Sequence, residues 1–275
     1  MLAMLLVAGS LLPGAAAAQR SLDPVSEGQR LRQAAARESR GEYDQAARLL
    51  REILDDNPVS TGALFALERV LRAAGDVGAV LPAVEQFLAA DPLHPGPHTM
   101  RLRVYAELDS LAALRRAGEA WLAAAPRDAD AYREVARAFG EAFGGDEALA
   151  VLERGRSTLS RADLFALEMG DLRLASGDTA AALAEWAAAV GPEGERASAV
   201  LRRVTALEPD VARAAGRLVA ALDREPTTSD RRRTAARIAL EAGLGGEARR
   251  LAERAIEPLD AGAREGFLVT LARRA

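Results

Sequence analysis

Few residues in this chain are equipped for chemistry. The only histidines, His94 and His98, stand four apart, a spacing that on a helix would suit two metal ligands. Pro92, Pro95 and Pro97 break up that stretch, so it reads as a polar turn, and no third ligand is indicated. A Ser-His-acid site would have to recruit one of the same two histidines, and no nucleophile-elbow phrase accompanies them. Cysteine is absent, which excludes thiolate nucleophiles, thiolate metal sites, disulfides and a lipidated cysteine. Carboxylates are plentiful, yet nothing singles out a pair for acid–base work. Gly243-Leu244-Gly245-Gly246 is glycine-rich but follows a helical stretch, where a phosphate loop follows a strand. Neither an enzymatic activity nor a cofactor is expected.

Arginine is the remaining candidate. All 36 basic residues are arginine, so every cation is a planar, permanently charged fork suited to bidentate carboxylate binding. Arg69, Arg103 and Arg137 recur at a fixed interval, Arg237 returns to the same column, and Arg72, Arg133 and Arg233 lie three or four residues from these. Arg231-Arg232-Arg233 beside Asp230 reads as a solvated helix face. The 36 basic residues against 40 acidic ones, net charge −4, argue against general nucleic-acid binding, which needs excess positive charge to displace counterions.

The elements that must position these arginines are helices. Hydrophobic residues make up 49% of the chain and aromatics only 4%, so alanine and leucine build the core, and no useful period-two run of strand formers exists. The fold class is all-α. A phrase repeats along the chain: glycine, an acidic residue, about four residues, a small residue, then an apolar helix ending near proline. It is clearest from Gly41 to Ala46, closing at Pro58. Aligned on the small residue it gives Ala46, Val80, Leu114, Ala148, Ala182, Ala214 and Ala248, at intervals of 34, 34, 34, 34, 32 and 34.

Each part of the phrase has a mechanical reason. Five before the small residue stand Gly41, Gly75, Asp109, Phe143, Gly177, Pro209 and Gly243, where one helix stops and the next begins. Glycine or aspartate accepts a left-handed backbone there, and Gly144-Gly145 follow Phe143 to supply it. Pro58, Pro92, Pro126 and Pro226 end second helices, since the residue before proline avoids helical angles. Leu49, Leu50, Ile53 and Leu54 form an apolar stripe, as do Leu64, Leu67 and Leu71, and Tyr132, Val135 and Phe139. Trp121 and Trp186 are expected to plug gaps between neighbouring hairpins.

This phrase resembles the tetratricopeptide repeat, a helix–turn–helix unit of 34 residues. Gly41, Tyr43, Ala46 and Pro58 match in the first unit; Gly170, Gly177, Asp178, Ala182, Trp186 and Ala189 match in the fifth. The expected organisation is a signal peptide (1–18), a linker (19–26), seven hairpins (27–60, 61–94, 95–128, 129–162, 163–194, 195–228 and 229–260) and a last helix (261–275). That helix is expected to pack Phe267, Leu268 and Leu271 on the seventh hairpin, as a cap or as the first half of a further repeat. The resemblance implies a right-handed superhelical solenoid whose first helices line a concave groove, and a function of holding a protein or peptide partner there. It also implies that the column of Arg69, Arg103, Arg137 and Arg237, with Arg72, Arg133 and Arg233 beside it, faces that groove, where it would grip an acidic segment. The same arginines would otherwise pair with Glu68, Glu107, Glu134 or Asp171 on neighbouring helices. The family's carboxylate clamp uses asparagine and lysine; lysine is absent here and the only asparagine, Asn57, lies at a helix end.

Residues Met1 to Ala18 are uncharged: an apolar run, Pro13-Gly14, then four alanines. They fit a secretory signal cleaved after Ala18, although no basic residue precedes the apolar run. The apolar core is about half the ~20 residues a membrane span needs. The expectation is an exported adaptor, periplasmic or secreted, without a membrane span after cleavage. The alternative is a helical recruiting region of a larger cell-envelope enzyme or export complex.

Overall fold

The computed structural model describes residues 24–273 apart from 208, so the expected signal peptide lies outside the described residues. Among the described residues every regular element is a helix. They run in chain order as α1 Pro24–Glu38 and α2 Tyr43–Asp56, α3 Thr61–Ala73 and α4 Leu81–Ala90, and α5 Pro95–Glu107 and α6 Leu111–Ala124. Next come α7 Ala129–Phe143 and α8 Gly145–Thr158, α9 Ala166–Ala175 and α10 Thr179–Ala189, α11 Ala197–Thr205 and α12 Val211–Leu222, α13 Ser229–Glu241 and α14 Gly245–Ile256, and finally α15 Ala261–Ala272. A short 3-10 turn, Val77–Val80, precedes α4. The described residues form two compact units, divided between Val104 and Tyr105.

One turn recurs between first and second helices. At Gly41 the backbone is left-handed, φ 75°. Its N–H bonds the Glu38 carbonyl, and the next N–H, of Glu42, reaches back to Arg37. These two bonds satisfy carbonyls that the ending helix would leave unpaired. Gly75, Gly177 and Gly243 repeat the pattern, and Asp109 adopts it at φ 50° although it bears a side chain. Phe143 does not turn; the positive φ passes to Gly144, at 101°. At the far end of the first three hairpins, Asn57, Asp91 and Ala125 leave helical geometry, with ψ of 86°, 85° and 59°, directly before Pro58, Pro92 and Pro126.

Helices α3, α7, α13 and α15 start on side-chain caps. Ser60, Asp128, Thr228 and Asp260 each accept a backbone N–H of the following helix, as Asp178 does for α10. Ser60 also donates to Glu27, and Asn57 donates to the other oxygen of the same carboxylate, so α1 is tied to the turn between α2 and α3.

Cohesion comes from apolar packing. In the first unit Leu50, Ile53, Leu54, Leu64, Leu67, Val84 and Phe87 are buried together. In the second, α9, α10, α12, α13 and α14 share a core around Trp186, Leu218, Ile238 and Leu251. Each fully buried side chain of this size contributes about 1.5–3 kcal/mol. An exposed ion pair contributes about 0.2–1 kcal/mol, so the many arginine pairs add detail to a frame set by apolar burial.

Small residues let rings enter between helices. The Phe139 ring of α7 lies against Gly118 of α6, and the Tyr132 and Phe165 rings crowd Gly155 of α8. Trp186 of α10 lies against Gly170 of α9 and donates to Asp171 at 3.1 Å. Trp186 thus packs within its own hairpin and in the core that this hairpin shares with α12, α13 and α14. A correction concerns α15: Phe267 is buried and Leu271 packs on the core, but Leu268 is 40% exposed and Val269 44%.

A β-carbon on Gly170 would sit 2.4 Å from Cδ1 and Nε1 of Trp186 and 3.2 Å from the Ala182 carbonyl oxygen. Gly170→Ala is expected to lower stability by about 1–3 kcal/mol through overpacking. Gly266→Ala, mid-helix with nothing within 4 Å, is expected to raise it by up to about 1 kcal/mol. Urea midpoints of the two variants check the pair.

Candidate functional site

In the first unit the candidate arginines are engaged by carboxylates. Arg69 on α3 reaches back one hairpin to Glu38 on α1, with Nε and Nη2 at 2.7 and 2.6 Å from the two oxygens. That hydrogen bonding holds the Glu38 carboxyl below the usual range, against a smaller opposing effect of burial. Arg103 on α5 lies 2.6 Å from Glu68 on α3, and Arg72 bonds the same oxygen at 3.0 Å. Glu68 is itself buried, and two guanidiniums on it offset the cost of taking its charge out of water.

In the second unit Arg133 on α7 bonds Glu168 on α9 at 2.7 Å, also contacts Asp130, and lies 5.3 Å from the Phe165 ring centre. Arg137 is shared by two carboxylates of its own helix, Glu134 at 2.9 Å and Glu141 at 3.1 Å. Arg233 pairs with Asp230, and Arg237 is half-buried on α13. Asp171 belongs to neither of the nearby candidates: Arg203 of α11 grips it through both oxygens at 2.6 and 2.7 Å.

Arg231 and Arg232 depart from the solvated face read from Arg231-Arg232-Arg233. Arg231 is half-buried and donates to the Val190 and Ala187 carbonyls at the end of α10, at 2.6 and 3.2 Å. A cation there satisfies unpaired carbonyls and meets the negative end of the helix dipole. Burial pulls its guanidinium below the usual arginine range. Arg232 joins Arg250 and Arg254 around Asp223, a buried carboxylate at 2.9, 3.1 and 2.6 Å. Burial pushes the Asp223 carboxyl up, but hydrogen bonds from Arg232 and Arg250 and the charge of Arg254 outweigh it and hold the group below the usual range.

Arg133 and Arg137 line an open cavity of about 500 Å³ where α7, α8 and α9 meet. Its floor is apolar: Ala136 and Gly140 from α7, Ala148 and Leu152 from α8, and Leu172 from α9. Its rim is charged: Arg133, Glu134, Arg137 and Glu141 from α7, and Glu168 and Asp171 from α9. Helical spacing puts the α7 residues on one face, since 133, 136, 137, 140 and 141 recur at three- and four-residue steps. The cavity exists because that face carries small residues. Gly140 already approaches Ala148 so closely that an added β-carbon would lie 3.1 Å from the alanine methyl. The volume falls in the range of about 300–1,000 Å³ usual for ligand sites. A floor of this kind takes an apolar side chain, and the charged rim then selects its flanks.

Sequence reasoning singled out Arg133 and Arg137 but not the floor. The available signal was the pair of small residues, Ala136 and Gly140, within an otherwise large-residue stripe of Tyr132, Val135 and Phe139.

The histidine stretch is no open turn. Helix α5 begins at Pro95, because proline is tolerated in a first helical turn, where its missing N–H is not needed. His98 is 4% exposed, and both ring nitrogens are engaged: Nε2 with the Pro92 carbonyl at 2.8 Å and Nδ1 with Arg101 at 3.2 Å. Arg101 can only donate, so Nδ1 accepts and Nε2 carries the proton. Arg101 also reaches Glu85 on α4 at 3.1 Å. His94 accepts the Gly96 N–H at 3.2 Å and sets its ring edge-on to Phe87.

No family model matches the chain, and no curated protein matches it. Among solved structures, the crystal structure of MamA protein overlaps with a TM-score of 0.42 at 17% identity, over 63% of this chain and 94% of that one. TTC0263, a thermophilic TPR protein of Thermus thermophilus, overlaps with a TM-score of 0.38 at 21% identity, over 70% and 99%. A tetratricopeptide repeat protein from Parabacteroides merdae overlaps with a TM-score of 0.40 at 14% identity, over 91% and 86%. The chain is similar to these proteins, and no binding property is carried over from them.

Burial lowers the His98 pKa from its ordinary 6.5; the bond to Pro92 opposes the shift and the Arg101 charge adds to it. A depressed value means that the unfolded chain binds the proton more readily than the folded one. Its contribution to stability is present above pH 6.5 and is lost as pH falls through the lower folded value. Urea unfolding from pH 7 to pH 5 should show stability falling more steeply in the wild type than in His98→Gln.

Proposed function

We propose that this chain is a non-catalytic scaffold that holds a segment of a partner protein in the groove between α7, α8 and α9. The observation that carries this reading is the apolar floor ringed by paired charges, set on a frame of closely packed helical hairpins. The frame supplies rigidity. The groove supplies a water-excluding contact for one or two apolar side chains, with polar groups at its edge to fix register. Arg133 and Arg137 are the groove's cations, whereas Arg69, Arg72 and Arg103 of the first unit and Arg233 of α13 are bonded to carboxylates of their own unit. Affinity in such a scaffold is the sum of modest contacts over several hairpins.

The partner is met outside the cytoplasm on this reading, which rests on the signal-like composition of Met1 to Ala18. Protein recovered from its native host should begin at Gln19 on N-terminal sequencing; an intact Met1 on all molecules counts against export.

Leu172 is half-buried in the groove, so a carboxylate there abolishes the apolar contact while leaving the core intact. Peptides selected from a random display library on the wild-type chain should lose at least tenfold in affinity for Leu172→Glu, with unchanged helicity and melting temperature. Selected peptides that bind both proteins equally would remove the groove from the proposal.

A further inference from the structure

We infer that the α7–α9 groove is built for a segment that sets a cationic side chain beside an apolar one, so that the partner it takes is basic and amphipathic. This deepens the groove reading above and depends on it. The sign is opposite to the one the arginines suggest when taken alone.

Charge complementarity carries the argument. The rim holds two guanidiniums, Arg133 and Arg137, against four carboxylates, Glu134, Glu141, Glu168 and Asp171. Asp171 is matched by Arg203, which grips both its oxygens from outside the rim. Glu168 is matched by Arg133, which also serves Asp130. Arg137 remains, and it is divided between Glu134 at 2.9 Å and Glu141 at 3.1 Å. Three cations, Arg203 included, thus face the four rim carboxylates, and Asp130 adds a fifth anion to the same set. The surplus is negative and sits along α7, where the Glu141 side chain is 64% exposed.

An acidic segment entering here would face that surplus, and it would gain a guanidinium only by displacing a carboxylate already bonded to it. An arginine or lysine meets no such competition. It extends the Arg137 arrangement with a second cation for Glu134 and Glu141, two carboxylates seven residues apart on one face of α7. The floor lies between that face and α9, so the segment's apolar residue and its cation must be close neighbours on one side of it. Rim charges also set specificity and salt dependence, while the apolar contact supplies affinity.

The display selection described above distinguishes the outcomes, read on clones whose binding requires Leu172. Enrichment of Arg and Lys beside an apolar residue, with at least a tenfold loss when the cations of the best clone become glutamine, is the expected result. The double variant Glu134→Gln, Glu141→Gln should bind that clone about tenfold more weakly, and should bind its glutamine form as the wild type does. Raising salt from 0.05 to about 0.5 M should narrow the gap between the two forms, since rim charges are screened. Leu172-dependent clones that are neutral or acidic overturn the charge inference and leave the groove standing. If no clone depends on Leu172, the groove reading fails and the inference fails with it.

Discussion

The reversal between paired helices depends on a backbone constraint. At the end of five first helices one residue adopts a left-handed conformation, and two successive N–H groups turn back onto the last carbonyls. Gly41, Gly75, Gly177 and Gly243 do this without steric cost, and Asp109 does it with a side chain in place. Once the reversal is made, the two helices lie close enough for alanine and glycine to matter. The contacts of Trp186 with Gly170, and of Tyr132 with Gly155, then follow from the spacing that the turn imposes. Where the turn residue is Phe143, the left-handed step moves on to Gly144, and the reversal is preserved.

Arginine acts here first as a connector. Several pairs join residues about one repeat apart, as in Arg69 with Glu38, Arg103 with Glu68, Arg133 with Glu168 and Arg203 with Asp171. Individually such pairs are weak at the surface, and their regularity reflects the repeat that brings equivalent faces together. Some go further. Arg231 closes the end of α10, and Asp223 gathers three guanidiniums on one buried carboxylate. A chain without lysine is suited to this, since a planar fork can serve two acceptors at fixed angles where an ammonium cannot. The same behaviour redefines the candidate site, because guanidiniums already bonded to carboxylates leave a groove whose net sign is set by the acids they fail to match.

The helical class, the period and the turn positions were legible in the chain because each rests on local properties: apolar residues at helical steps, left-handed glycine, and the backbone preference before proline. The stripes of Leu64, Leu67 and Leu71 and of Tyr132, Val135 and Phe139 are buried as their spacing implies. The candidate site was legible only in part. Arg133 and Arg137 lie at it, but Leu152 and Leu172, which make its floor, read in sequence as ordinary core residues. His98 was misread because three prolines suggest a broken chain, whereas a helix beginning at Pro95 accommodates Pro95 and Pro97 in its first turn and leaves Pro92 before it.

The sequence by itself determined that the described chain is a series of helical hairpins, since that outcome depends on interactions within a few residues or within one turn. Only the tertiary structure decided where each guanidinium points, which way the rings of Trp186 and Phe139 lean, and where a cavity is left open. Those outcomes depend on partners far along the chain, about one helix or one repeat away, and on whether two small residues on neighbouring helices face each other. Spacing along a chain records the period that makes such meetings possible; packing in three dimensions selects which of them occur.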